Sequence, residues 1–395
     1  MNDKVIDKVP LVSSYDEFSQ LKKVVLGSFD KNSMALESQD PNVDFKAGLK
    51  ILERAYPQWY VDEVNEDLNC FQEILERNNI QVLKPKWPFK SSEFSTPNWR
   101  SHGFDIFNVR DNQIVFGNTI ISSPPSARYR QNEYFAFYKI FKELISNQLS
   151  KWVQVPGPSL PAGFELPLNR EPTKLEIIED EKHSVLSEGL TEQYKYLKND
   201  EAIFDAANII RIGVDVLFLV SSTANLEGYK WLKSFLGSDY RVHLTNTYRS
   251  SHLDSTILPL APGLVLLNKD RVDERTVPEM FKNWDQIFFD DVAEIPKKEI
   301  SFYKEVREPV ARELDSLGFQ SPISHLSSPW GGLNVFSISP NTVCVEENQI
   351  SLIRTLESYK LNVIPVRCRH SYSMLGCLHC STLDIEREGG LIDYQ

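Results

Sequence analysis

The sequence predicts an α/β fold, a single domain built from five repeated strand, strand, helix, strand units that close into a ring. Three observations predict it. Apolar, β-rich pairs of segments joined by short polar turns recur along the chain, and helical stretches with a further short strand follow them. The length of 395 residues exceeds the usual single-domain size unless the fold is made of repeated units. No low-complexity tail or flexible linker divides the chain, so one domain spanning 1–395 is the simpler account. Two ordinary domains, or an ordinary α/β fold with hairpins, are the alternatives.

The elements follow in order. Residues 22–26 read as a degenerate first member of the series. The pair 104–109 with 113–121 comes next, then 208–212 with 215–220, 256–260 with 263–267, and 333–338 with 342–345. After the second full pair, 224–236 is helical, because Leu226, Tyr229, Leu232, Phe235 and Leu236 recur at helical spacing and lay one face on a core. A strand at 241–245 follows. The last pair is likewise followed by a helix over 347–360 and a strand over 361–366. Residues 155–202 read as a surface excursion, being rich in proline and glycine as far as Pro172 and acidic from Glu176 to Glu181.

Composition bounds the function. With 41% hydrophobic and 25% charged residues, the chain has the make-up of a globular protein, and no apolar run approaches the ~18 residues a membrane span needs. Met1 to Asp7 lacks a basic region followed by an apolar core, so a cytoplasmic location is expected. A net charge of -12 opposes a phosphate backbone and suits a cationic small molecule better. Five scattered cysteines argue for reduced thiols rather than a disulfide framework.

Three segments carry residues fit for chemistry. Cys380 lies in Met374-Leu375-Gly376-Cys377-Leu378-His379-Cys380-Ser381-Thr382, a turn of small residues that could give a thiol partial exposure and free backbone N–H groups. The plainer reading is a buried small hydrophobe. His252 and Asp254 stand two apart beside a strand, where period two puts both on one face, so Asp254 could hold an imidazole that transfers protons. A structural histidine is the alternative. Asp205 and Asp111 stand at matching ends of repeated units, where paired carboxylates could converge to grip a planar cation such as guanidinium. Turn aspartates otherwise cap the backbone locally. Cys368, His370, Cys377, His379 and Cys380 also fall within thirteen positions, so a zinc site or a redox dithiol competes, although the spacing matches no paired C-x-x-C pattern.

Taken together, the segments resemble the amidinotransferases of the arginine:glycine type, including relatives serving streptomycin, saxitoxin and cylindrospermopsin biosynthesis. The resemblance covers most of the chain, through Ser14 to Phe18 with Val24 to Gly27, Phe94 to Pro97, Asn108 to Asp111, Phe204 to Ala207, Tyr240 to His243, His252 to Asp254, Trp330 to Val335 and His379 to Asp384. It implies the five-bladed α/β-propeller of guanidino-group modifying enzymes. It implies Cys380 as the nucleophile on the guanidino carbon of L-arginine, His252 as general acid and base, Asp254 as its partner, and Asp205 and Asp111 as the guanidinium-binding carboxylates. Arg271 matches the arginine that binds the donor carboxylate, and Ser328 a serine lining the same pocket. No cofactor or metal is implied, and the partners are L-arginine and an amine acceptor, with a homodimer entertained. The chain departs from the glycine-using pattern in a shorter stretch between Tyr240 and His252, in Asn208 where an aspartate is usual, and in Glu386 and Glu388 within a usually basic run. These departures bear on the acceptor, expected to be bulkier than glycine, in specialised metabolism. A hydrolase on the same scaffold, such as an arginine deiminase or dihydrolase, is the nearest alternative, and a zinc-binding interaction protein is the alternative from another class.

Overall fold

Five three-stranded sheets share one wiring, in which an antiparallel hairpin is extended by a third strand parallel to its inner neighbour. The computed structural model describes residues 9–30, 35–38, 40, 42–86, 93–95, 99–103, 106–157, 201–245, 248, 252–319, 323 and 326–395. The first sheet pairs Leu21–Leu26 with Thr382–Arg387, so its hairpin-like pair is assembled from opposite ends of the chain, and Gln81–Leu83 runs parallel to it. The second joins Gln113–Phe116, Thr119–Ser122 and Lys151–Gln154. The third is Ile209–Ile212, Asp215–Leu219 and Arg241–Thr245, the fourth Ile257–Ala261, Leu264–Asn268 and Asp285–Phe289, and the fifth Phe336–Ser339, Thr342–Glu346 and Asn362–Val366. A sixth sheet, Leu36–Ser38 with Arg100–His102 and Glu93–Ser95, is antiparallel throughout and lies outside the series.

A strand cannot turn back into a parallel partner without a crossover, and helices supply it. Phe45–Leu52 and Gln58–Arg77 serve the first sheet, Tyr134–Leu144 the second, Leu226–Leu236 the third and Ile350–Ser358 the fifth. In the fourth, only the 3-10 turn Glu279–Phe281 lies between the paired strands, so the expected helix after every pair is absent there among the described residues. Helix starts lie later than their periodicity suggested. Asn225 accepts from Gly228 N and so caps the helix rather than joining it, and Gln349 occupies the same position before Ile350.

The core is divided among the sheets. Val25, Leu383 and Ile385 of the first pack with Val115 and Ile120 of the second. Ile114 and Ile121 of the second pack with Ile209 and Val216 of the third, whose Ile210 and Leu217 pack in turn with Ile257 and Val265 of the fourth. Leu258 and Leu266 of the fourth meet Val335 and Val343 beside the fifth, and Phe336 and Ile338 of the fifth meet Leu21, Val24 and Leu26 of the first. Strands buried on both faces read as unbroken apolar runs, as in Val24-Val25-Leu26 and Leu217-Phe218-Leu219.

Two expectations need correction. The degenerate first member at 22–26 is a full strand whose hairpin partner is the last strand of the chain, invisible to a search for neighbouring pairs. The 104–109 strand does not form among the described residues: Val109–Asn112 is a single helical turn, and the hairpin is 113–116 with 119–122. Within 155–202, residues 158–200 lie outside the described residues. No helix among the described residues is long and apolar enough to cross a membrane.

Candidate active site

Cys380 is placed by the turn that leads into the last strand. Leu375 adopts φ +57°, and at Gly376 a Cβ would stand 1.9 Å from Asn108 Oδ1, so the chain passes where a side chain does not fit. Asn108 Nδ2 donates to Met374 O at 2.9 Å and secures the turn. Cys380 is 5% exposed, and its surroundings are fully specified. Its N–H donates to Asn334 Oδ1 at 3.0 Å, Asn334 Nδ2 returns to Sγ at 3.2 Å and to Asp254 O at 3.0 Å, and the thiol donates to Asp254 Oδ2 at 3.0 Å. Cys380 O accepts from Arg110 N at 3.1 Å, which ties the Cys380 turn to the helical turn carrying Asp111.

His252 faces two carboxylates from the turns that lead into the second and third sheets. Its Nε2 lies 3.1 Å from Asp205 Oδ2 and its Nδ1 3.7 Å from Asp111 Oδ1. Asp205 is fixed by Ser126, whose N and Oγ donate to Oδ1 at 3.0 and 3.3 Å. Asp111 is held by Arg130 Nη1 at 2.6 Å, and Arg130 Nε reaches Glu133 at the same distance. Asp111 lies inside its helical turn, whereas Asp205 precedes the turn Ala206–Asn208, so the two are not at matching positions although both reach the same imidazole. Asn208 explains its own departure from aspartate. Its Nδ2 donates to Leu219 O at 3.1 Å and Ser221 Oγ at 2.7 Å while its Oδ1 accepts from His252 N at 3.3 Å, and a carboxylate has no donor to offer Leu219 O.

The expected pairing of His252 with Asp254 is not what forms. His252 has φ +65°, so the backbone around it is not a strand and the period-two argument does not apply. Asp254 turns instead to Cys380 and to His379 Nδ1, 3.0 Å from Oδ2. The exposed, thiolate-favouring thiol is also corrected. Burial, followed by Asp254 and Asp111, pushes the Cys380 thiol well above its usual range, and its N–H is engaged rather than free.

Arg271 is buried beside the segment that carries His252, with Nη1 2.7 Å from Thr256 Oγ1 and its guanidinium 4.9 Å from the centre of the Tyr248 ring. The Tyr248 hydroxyl donates to His252 O, so Arg271 and His252 share one support. Ser328 is half-buried and precedes the turn Pro329–Leu333, which delivers Asn334. The competing metal cluster is pulled apart. His370 is held between Glu299 and Glu63, His379 between Asp254 and Glu17, and Cys368 lies against Cys377. Among the described residues no group of three or more His, Cys, Asp or Glu side chains is placed to hold a metal ion.

No family model matches the chain. Full-length relatives do. Inosamine-phosphate amidinotransferase 1 of Streptomyces glaucescens is 31% identical over 394 residues, covering 98% of this chain and 99% of the relative.

The chain belongs to the amidinotransferase family.

The L-arginine:L-lysine amidinotransferase of Pseudomonas savastanoi pv. phaseolicola is 28% identical over 97% of this chain and 96% of its own length. The solved structure of the Streptomyces griseus inosamine-phosphate amidinotransferase superposes with a TM-score of 0.76 at 29% identity, covering 98% of this chain and 100% of that one. The α/β architecture is therefore that of solved amidinotransferases.

Three residues of this amidinotransferase-family site were not singled out from sequence. Asn334 and Arg130 touch or hold the candidate residues, and Glu17 stands behind them against His379, Arg110 and Arg211. Glu17 and Asn334 lie within segments that carried the family resemblance, yet a glutamate before a strand and an asparagine after a glycine pair announce no role by spacing.

The electrostatics give a direct test. Burial disfavours a charged His252, but Asp111 and then Asp205 outweigh it and lift the imidazole to about 9, while burial lifts Asp111 to about 6. An imidazole whose folded value lies above its unfolded one stabilises fully below the unfolded value of about 6.5 and loses that stabilisation as pH rises through the folded value. The window is thus pH 6.5 to about 9. A histidine ring resonance titrating near pH 9 is the expected NMR result, falling by about one unit or more in Asp111→Asn. An unchanged midpoint in that variant sinks the assignment.

Proposed function

We propose that the chain transfers the amidino group of L-arginine to an acceptor amine through a covalent amidino-cysteine on Cys380. The observation that carries the reading is a pair of contacts, Cys380 against Asp254 and His252 between Asp111 and Asp205, near enough that Asp254 acts on the imidazole and Asp111 on the thiol. Two carboxylates beside a protonated imidazole form a site for a cation. A guanidinium entering it brings the positive charge that the buried thiol lacks and so favours thiolate next to its own electrophilic carbon.

The chemistry proceeds in two halves. The Cys380 thiol gives its proton to Asp254, which returns it when the thiolate is expelled in the second half, and the sulfur adds to the guanidino carbon. His252 then gives a proton to the departing nitrogen as its bond to that carbon breaks, and ornithine leaves. The cationic amidino-thioether that remains is stabilised by Asp111 and Asp205. An acceptor amine next loses its proton to His252, bonds to the amidino carbon and expels the Cys380 thiolate. In this scheme Arg271 binds the donor carboxylate and Ser328 lines the same pocket, no cofactor takes part, and the kinetics are ping-pong. The shorter stretch before His252 supports an acceptor bulkier than glycine, from specialised metabolism.

The five sheets are read as blades of a closed α/β-propeller. Supporting this are their common wiring and the succession of core clusters that leads from the fifth sheet back to the first. A cytoplasmic homodimer is the setting we propose.

Incubation with arginine tests the function. Mass spectrometry is expected to find an adduct of ~42 Da on the Cys380 peptide, the mass of an amidino group replacing a thiol proton. Ornithine should accumulate only when an amine is supplied, and an amine panel with labelled arginine names the acceptor. Citrulline or urea formed without any amine would mean that water intercepts the intermediate, and the reading becomes a hydrolase.

A further inference from the structure

We infer that His379 is a positioning residue that sets the proton affinity of the Cys380 thiol by holding Asp254, an inference that rests on Cys380 being the nucleophile. Asp254 Oδ2 receives two donors at once, the thiol at 3.0 Å and His379 Nδ1 at 3.0 Å. The opposite nitrogen of the ring, Nε2, stands 3.5 Å from Glu17 Oε2. Glu17 is gripped in turn by Arg211, through Nε at 2.8 Å and Nη2 at 3.0 Å, and by Arg110 Nη1 at 3.1 Å. Arg110 Nε also donates to His379 O at 3.0 Å, and the Phe336 ring covers the imidazole from the side. The titratable and charged groups around the ring are therefore Asp254, Glu17, Cys380 and, through the backbone, Arg110.

This arrangement fixes what the ring can do. With a carboxylate at each nitrogen the imidazole cannot swing, so its Nδ1–H points at Asp254 Oδ2. That hydrogen bond draws charge away from the same oxygen the thiol uses. Without it, Oδ2 would be a less compensated negative atom against the sulfur, and the thiol would keep its proton to higher pH. His379 thus acts on the sulfur through Asp254, while His252 works on the side of Asp111 and Asp205. The network behind it explains why the turn carrying Cys380 is tied to the buried Glu17 and Arg211.

Two variants of similar size separate this role from packing. His379→Asn places an amide donor where Nδ1 stands and keeps the bond to Asp254. His379→Gln places its amide where Nε2 stands and keeps only the Glu17 side. The full chain, without arginine, is treated with iodoacetamide across pH 6 to 10, and carboxamidomethylation of the Cys380 peptide is followed by mass spectrometry. His379→Asn is expected to match the parent within about twofold, and His379→Gln to shift the profile upward by about one pH unit, roughly a tenfold slower reaction near pH 8. Equal profiles for the two variants overturn the inference. Should His379→Gln fail to fold, His379→Ala, which removes the donor to Asp254, supplies the second measurement: its profile rises on the parent background, and in Asp254→Asn, whose own profile moves to lower pH, adding His379→Ala moves it no further. A further move overturns the inference as well. Because alkylation requires no arginine, failure here is distinct from failure of amidino transfer, which shows as a missing adduct.

Discussion

Cys380→Ala is expected to lower ornithine formation from arginine by about 10⁴-fold or more, the scale on which losing a covalent nucleophile is felt when it works as a unit with its acid and base. The fold should survive. The lost atoms are one sulfur and its bonds to Asp254 and Asn334, and Asn334 keeps both the Cys380 N–H and Asp254 O as partners. Steady-state ornithine release at saturating acceptor, beside a thermal unfolding curve, separates lost chemistry from lost structure. Cys377→Ala is the control. Cys377 is buried in the hydrophobic cluster around Phe71 and Met374, so its loss should cost stability and leave turnover within a few-fold of the parent. Turnover that persists in Cys380→Ala removes the nucleophile from the scheme.

Arg211→Leu is expected to destabilise the protein by about 3–5 kcal/mol, the cost of leaving buried carboxylates without their cation. Arg211 is fully buried and meets Glu17 at 2.8 Å, Asp384 at 2.8 Å, Ser14 Oγ at 2.9 Å and Val115 O at 2.8 Å. These partners come from the first and second sheets and the segment before them, so one guanidinium fastens three parts of the chain. Arg110 and Arg387 also reach Asp384, at 2.7 and 2.9 Å, and soften the loss. Urea unfolding measures it. A change below about 1 kcal/mol, the size of an exposed ion pair, would mean that the buried network contributes specificity and not stability.

Much of the fold was legible because its units are local. Hairpins such as Ile209–Ile212 with Asp215–Leu219 announce themselves by apolar runs around a Gly213-Val214 turn, and Arg241–Thr245 begins and ends where periodicity put it. Pairing between distant segments leaves no such trace. Leu21–Leu26 reads as a lone degenerate member because its partner, Thr382–Arg387, lies at the far end of the sequence, and Val109–Asn112, read as the end of a strand and the turn after it, is a single helical turn. The candidate site divides in the same way. The structure brings Cys380 against Asp254, and His252 against Asp205 and Asp111. Which carboxylate serves which partner was illegible, because the positive φ of His252 redirects its ring from Asp254 to Asp205 and Asp111, and sequence spacing carries no record of φ.

The pairing of Leu21–Leu26 with Thr382–Arg387 also governs when the protein can come alive during synthesis. Four sheets draw all their strands from nearby stretches and can form as they emerge, but the first waits for a segment some 360 positions away, a late and entropically costly closure. Cys380 enters with that last segment, two residues ahead of Thr382. A nascent chain therefore holds Asp111, Asp205, His252 and Asp254 well before it holds Cys380, and in the proposed chemistry a chain cut short of that segment is silent. In that scheme activity reports that the first sheet has closed.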